Sequence, residues 1–330
     1  MGTTALIGLG SNLGDRKGSL DAAIVELAAA DDVQVRAVSS YHETRPAGGP
    51  DGQGAFLNAA AMLWTGLNPF QLLALLRGIE AGAGRLRVVH WGERTLDLDL
   101  LLYGEQIIDT TELTVPHHWM AVRRFVLAPL VEIAPEVVDP LTGRTIAMLL
   151  AKLDRRPGYI ALDLPQAQCR PVFQRLVARL TATGLSTGTD SVAAITPRII
   201  PAQFREQDFL RLLDLRSQEL RANRGPSEVL EDRWLVTEFW LDRLFLDLVR
   251  SNRSAQFGIH RESFLKHRSQ EIEPTFVVAP PLGVGQLGRW AEQAEADRPI
   301  GSDVPILRPS SSEPDQIEVE VLAACVASRS

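Results

Sequence analysis

The segment Leu96-Asp97-Leu98-Asp99-Leu100 alternates apolar and acidic residues with a period of two. That period suits a β-strand, with Asp97 and Asp99 on one face and the three leucines on the other. Two residues along a strand span roughly 6–7 Å, so the two carboxylates would repel each other. Asp is also poorly suited to strands. The pattern therefore calls for something cationic over the acidic face. Hard divalent cations such as Mg²⁺ prefer oxygen ligands and often share them with substrate phosphates. Arg94, three residues before Asp97, adds a donor fork that suits phosphate. The plainer alternative is a half-buried edge strand with two solvated aspartates.

Around this segment, helical and strand patterns alternate. Thr4 to Gly8 reads as a first strand leading into a loop at Gly10 to Asp15, and Leu20, Ala23, Ile24 and Leu27 recur at helical spacing. Val33 to Thr44 reads as one strand and Phe56 to Trp64 as another, with a Gly- and Pro-dense loop between them. Asn68 as N-cap and Pro69 at the first position open a helix through Leu72, Leu76 and Ile79, which Gly82 and Gly84 stop. After the acidic strand come Phe125 to Ile133 and a closing helix at Ile146 to Leu153. The expected fold class is α/β (α+β).

A chain of 330 residues exceeds one typical domain, and the charged, Pro- and Gly-broken stretch at 152–158 marks the boundary. Two domains are expected, 1–156 and 157–330. In the second, Tyr159 to Leu164 reads as a strand and Val172 to Leu180 as a helix. Leu230 to Val249 reads as a long helix, and Pro274 to Val278 and Ile317 to Leu322 read as strands. Net charge is -7, which argues against a nucleic-acid partner. The 2 cysteines lack metal-ligand spacing and fit a reducing, cytoplasmic setting. No run approaches the ~18 apolar residues of a membrane span, and no signal peptide is expected.

The first domain resembles 6-hydroxymethyl-7,8-dihydropterin pyrophosphokinase over about residues 4 to 153. The resemblance rests on IGLGSNLGDR near the start, Thr44-Arg45-Pro46, FLNAA at 56–60, IEAGAGRLR at 79–87, WGERTLDLD at 91–99 and LTVPHHWMAVRRFVLAPLVEIAPE from Leu113, in the family's order. It implies a ferredoxin-like α/β sandwich that moves pyrophosphate from ATP, the co-substrate, to 6-hydroxymethyl-7,8-dihydropterin. Two Mg²⁺ ions would be held by Asp97 and Asp99. Arg85 and Arg94 would act in catalysis. ATP would be met by Arg87, Trp91, Thr114, His117 and Arg123. The pterin would stack between Phe56 and Phe125, present its edge to Asn58, and touch Thr44, Pro46 and Ala47. Flat polar heterocycles need such an aromatic sandwich and amide.

Four positions depart from the family: Arg77 for a usual Gln, His90 for a basic residue, Glu93 for proline, and Glu112 near Thr114. The loop before Trp91 is about one residue short. A nicotinamide dehydrogenase, suggested by Gly8, Gly10 and Gly14, is a rival reading, but the spacing misses the dinucleotide fingerprint by one residue. The second domain faintly resembles a P-loop deoxynucleoside kinase. Leu164 and Cys169 replace its glycines, Arg170 its lysine and Pro171 its hydroxyl, so a phosphate nest cannot form. It is expected to be a non-catalytic accessory, with a homodimer through it as one arrangement. A second nucleotide-related activity in 157–330, or an inactive scaffold, are the alternatives.

Overall fold

Runs of consecutive buried residues over β1 (Thr3–Ser11) and β4 (Phe56–Thr65) build the centre of the first unit's sheet, which is covered on both faces. The computed structural model describes residues 2–47, 49–50, 52–84, 92–155, 158–182, 234–237, 273–280 and 304–329. The chain divides into two compact units, the first running to Asp154 and including the tail Ala323–Ser330. The other strands of the first sheet are β2 (Val33–Val38), β3 (His42–Thr44) and β5 (Asp97–Tyr103), in the order β2-β4-β1-β5, with β3 also on β4. Every pairing is antiparallel. Helix α1 (Arg16–Ala29) joins β1 to β2, and α2 (Pro69–Gly82) joins β4 to β5. Taking β2 and β3, which both pair with β4, as one broken strand, the order is the βαββαβ expected of a ferredoxin-like sandwich.

One face of the sheet buries Ile7, Leu9, Ala61, Leu63, Leu98 and Leu100 against Leu20 and Leu27 of α1 and Leu72, Leu76 and Ile79 of α2. The other packs Leu6, Ala60 and Leu101 on α3 (Arg124–Ile133) and α4 (Ile146–Leu153). Helix α2 starts as its sequence dictates. The Asn68 side chain accepts from the Phe70 and Gln71 N–H groups, and Gln71 returns a bond to the Asn68 N–H. The hairpin β6 (Ile108–Asp109) and β7 (Thr114–Val115) follows β5.

Three expectations change. Gly10 and Ser11 belong to β1, so the loop begins at Asn12. Gly8 and Gly10 therefore lie inside an antiparallel strand rather than a strand-to-helix turn, which removes the dinucleotide reading. The single strand expected over Val33 to Thr44 is broken into β2 and β3 at residues 39–41, and β4 pairs the two pieces at separate stretches, Ala61 to Thr65 and Phe56 to Asn58.

The second unit holds a parallel sheet, β11 (Ile306–Leu307), β10 (Phe276–Val278), β8 (Gly158–Leu162) and β9 (Trp234–Thr237), in that spatial order. Helix α5 (Gln166–Ala182) follows β8, and α6 (Pro314–Ala327) is the last helix. Two sequence expectations fail here. Trp234–Thr237, inside the stretch read as a helix, is a strand whose Trp234 and Val236 are buried. Ile317 to Leu322, read as a strand, lies in α6. The remainder of 230–249 lies outside the described residues. Among the described residues no helix is long and apolar enough to cross a membrane.

Candidate active site

Antiparallel register gathers the site. Gly10 pairs with Asn58 of β4 on one side and Asp97 of β5 on the other, and His42 of β3 pairs with Asn58. The next row on the same face is Ala60, Gly8 and Asp99. Asn58, Asp97 and Asp99 thus extend the face that α3 and α4 cover lower down. Gly10 stands at the centre of the upper row. A Cβ on Gly10 would lie 3.4 Å from Asn58 Oδ1 and 3.9 Å from both Asp97 Cβ and Phe56 Cδ1.

Arg94, expected from the sequence as a phosphate donor, pairs with one of the two aspartates. Arg94 Nη1 donates to Asp97 Oδ2 at 2.5 Å, with both side chains about four-fifths buried. Asn12 fixes Arg94 from the backbone, its Oδ1 accepting from the Arg94 N–H (2.8 Å) and its own N–H donating to the Arg94 carbonyl (3.1 Å). Arg123 faces the same acidic pair. Burial lowers its pKa, and the carboxylates of Asp99 and then Asp97 oppose that shift. Its guanidinium lies 4.8 Å from the Trp119 ring and 5.6 Å from the Phe125 ring, a stacked placement that suits arginine.

His117 follows β7, its N–H bonded to the Leu101 carbonyl (2.9 Å). Burial, aided by Arg123, pushes its pKa down to about 3. The ring is therefore neutral near pH 7, and Nδ1 accepts from the Trp119 N–H at 3.3 Å. Nε2 is then the protonated nitrogen, free in chemistry to donate to an anion. Thr114 sits on β7, paired with Asp109.

On the other side of Asn58, its amide Nδ2 donates to Thr44 Oγ1 at 2.8 Å. That leaves Oδ1 turned toward Gly10. Phe56 stands two residues before Asn58 on the same strand face, and Phe125 opens α3, which packs on that face. Thr44 pairs with Phe56, and Pro46 and Ala47 follow in the adjoining loop, each half-buried. Arg85, Arg87 and Trp91 lie outside the described residues.

Two contributors escaped the sequence reading. Glu80 of α2 is buried and accepts from the Leu98 N–H at 2.8 Å, on the outer edge of the acidic strand between Asp97 and Asp99. A charged residue directly after the buried Ile79 was the available signal. Asn12 lies within the GSNLG motif, and its role as the anchor of Arg94 carries no periodic signal. Two departures explain each other: Arg77 Nη1 pairs with Glu112 at 3.0 Å. Glu93 turns its carboxylate toward the Gly54 N–H (3.5 Å). His90 lies outside the described residues.

The family model for 7,8-dihydro-6-hydroxymethylpterin-pyrophosphokinase (HPPK) matches residues 6–135. Three relatives carry the name 2-amino-4-hydroxy-6-hydroxymethyldihydropteridine pyrophosphokinase. That of Bacillus subtilis is 50% identical over 143 residues, 43% of this chain and 85% of the relative. That of Synechocystis is 43% identical over 150 residues, 46% of this chain and 76% of the relative. That of Pseudomonas aeruginosa is 41% identical over 157 residues, 46% of this chain and 96% of the relative. With the acidic strand, Asn58 and Arg94 placed as described, the chain belongs to the 7,8-dihydro-6-hydroxymethylpterin-pyrophosphokinase family.

Proposed function

We propose that the cross-strand row Asn58–Gly10–Asp97 is where this chain carries out its family's reaction. The chain transfers pyrophosphate from ATP to 6-hydroxymethyl-7,8-dihydropterin, giving AMP and the pterin diphosphate, a step of folate biosynthesis. The observation that carries the assignment is that row itself. It puts an amide edge-reader and an acidic pair on one sheet face, separated only by a glycine.

In the reaction the hydroxymethyl oxygen bonds to the β-phosphorus as the bond to the α-phosphate oxygen breaks, and the hydroxyl proton is lost. Asn58 and Thr44 hold the pterin edge, and Phe56 and Phe125 hold its faces. Arg94, Arg123 and the neutral His117 neutralise and orient the triphosphate, a task the reading extends to Arg85, Arg87, Trp91 and Thr114. Asp97 and Asp99 fit Mg²⁺. They are a pure oxygen donor pair on one face, and among the described residues no group of three or more His, Cys, Asp or Glu forms a dedicated metal cage. Mg²⁺ keeps waters and takes phosphate oxygens rather than demanding such a cage. Held by Asp97 and Asp99, two such ions would offset phosphate charge and lower the pKa of the attacking hydroxyl.

For the second unit we propose a kinase-like layout without a phosphate loop. Only Asp163, Leu164 and Pro165 separate β8 from α5, and Leu164 is buried. The Asp163 N–H is spent on the Val278 carbonyl (2.7 Å), and Cys169 and Pro171 stand within the helix. Few backbone donors remain to wrap a phosphate. This supports an accessory, non-catalytic role for residues 157–330.

AMP release from ATP and hydroxymethyldihydropterin tests the assignment. Asp99→Asn should cut turnover at least about a hundredfold, the scale of losing a charge-stabilising group. Asn58→Ala should weaken pterin binding by ~1–3 kcal/mol, the cost of an unsatisfied polar edge, and leave ATP binding unchanged. Equal loss of both ligands in Asn58→Ala would make that residue structural and overturn the pterin assignment.

A further inference from the structure

Arg16 stands where a cation is unwelcome. It is the first residue of α1, whose first turn has no acidic residue, and Lys17 follows it. Helix N-termini carry partial positive charge, so two cations there cost stability. Asp15 caps the helix by accepting from the Gly18 N–H at 2.9 Å, but it makes no bond to the Arg16 guanidinium. Instead the guanidinium turns away from its helix. Nη1 donates to the Ala55 carbonyl at 2.7 Å, and Nη2 donates to Glu43 Oε2 at 2.9 Å.

These two partners lie at the two ends of one loop. Glu43 immediately precedes Thr44 on β3, and Ala55 immediately precedes Phe56 on β4. Between them run Pro46 and Ala47. The returning arm of the loop also rests on the segment just before Arg16. Asn12 Nδ2 donates to Gln53 Oε1 at 3.4 Å, and a Cβ on Gly54 would come within 3.2 Å of the Asn12 carbonyl oxygen. The loop is thus seated against the β1–α1 connection, with Arg16 spanning its base. The Arg16–Glu43 pair is partly exposed, at 32% and 61%, and solvent screening keeps its Coulombic value small. What the bidentate geometry supplies is position.

We propose that Arg16 is a positioning residue for the pterin. By tying Glu43 to the Ala55 carbonyl it closes the base of the 44–56 loop, and so sets how firmly Thr44, Phe56 and Asn58 hold the heterocycle without touching it. This rests on the pterin assignment above.

The test uses the full-length chain, with Arg16→Gln, Arg16→Lys, Glu43→Gln and, as a control, Asn58→Ala. Pterin is titrated calorimetrically in the presence of Mg²⁺ and a non-hydrolysable ATP analogue, and steady-state rates are measured with each substrate varied. Arg16→Gln should raise the pterin Kd and KM about tenfold, with kcat at saturation and the KM for ATP within about twofold of the parent. Glu43→Gln should raise the pterin KM only about two- to threefold, because the Ala55 bond remains. Arg16→Lys should fall between, since a point charge cannot span both partners. A general structural role would shift kcat and both KM values together, and that result overturns the proposal. So does an unchanged pterin KM in Arg16→Gln while Asn58→Ala weakens pterin binding. If Asn58→Ala itself leaves pterin binding intact, the pterin assignment fails, and the Arg16 role with it. Should Arg16→Gln not fold, Glu43→Gln decides by the same split.

Discussion

Asp97 and Asp99 look equivalent in sequence, and their surroundings make them different. Asp97 is held by Arg94 at 2.5 Å in a pair about four-fifths buried. Asp99 makes no ion pair within 4 Å among the described residues and meets Arg123 only at longer range. Replacing Asp99 by Asn removes like-charge repulsion on Asp97 together with a distant attraction to Arg123, two changes of opposite sign. Replacing Asp97 leaves the partly buried Arg94 without its closest counter-charge. We predict that Asp97→Asn lowers stability by ~1 kcal/mol in metal-free buffer, and that Asp99→Asn changes it by less than ~0.5 kcal/mol. Urea unfolding of both variants checks this, and matching losses would contradict it. The alternation therefore showed which residues carry the acidic face. Which carboxylate is paired depends on Asn12 anchoring Arg94 from 82 positions away, and periodicity holds no record of that.

At the scale of elements, the legible ones are those whose local chemistry is self-sufficient. Helix α2 carries its own capping box and Pro start, and its burial pattern follows its apolar spacing. Helix α6 is the opposite case. Ile317-Glu318-Val319-Glu320-Val321 alternates as a strand would, yet Val319 is 49% exposed and Glu320 is only 3% exposed. Buried positions run Ile317, Glu320, Val321 and Ala324, a helical spacing. Glu320 can be inside because its carboxylate takes the Ser310 N–H and hydroxyl, a tertiary satisfaction that overrides apparent polarity. The same logic operates at Glu80, which caps the outer edge of β5. In Glu80→Ala the Leu98 N–H loses its acceptor in a buried setting, a cost of ~1–3 kcal/mol. We predict that loss in thermal unfolding, with a lower kcat because the strand segment between the two aspartates is no longer fixed. Glu80→Gln, which keeps an acceptor, should recover most of both. Full activity in Glu80→Ala would show that β5 is held by its pairing to β1 alone.

For the whole molecule, the question is whether the first unit needs the rest of the chain. Both cores that sandwich its sheet are drawn from residues before Asp154. One runs from Ala5 to Val115 and the other from Leu6 to Leu153. The tail Ala323–Ser330 groups with this unit but supplies no residue to either core. Every residue assigned to the chemistry lies before Val126, and one relative is matched along nearly its whole length by less than half of this chain. A chain ending at Arg156 should therefore fold cooperatively and keep the parent's kcat and both KM values within about threefold. Its Tm should drop by no more than a few degrees, the change expected when ~1 kcal/mol of tail contacts is lost from a domain of this size. Circular dichroism melting and the AMP-release assay on the shortened chain measure both. Retained activity with a small Tm loss would place the role of residues 157–330 outside the pterin reaction. A soluble but inactive shortened chain would mean that the second unit contributes to the site. An insoluble one would mean that the first unit needs more of the chain, and the tail Ala323–Ser330, which groups with it, would be the first segment to restore.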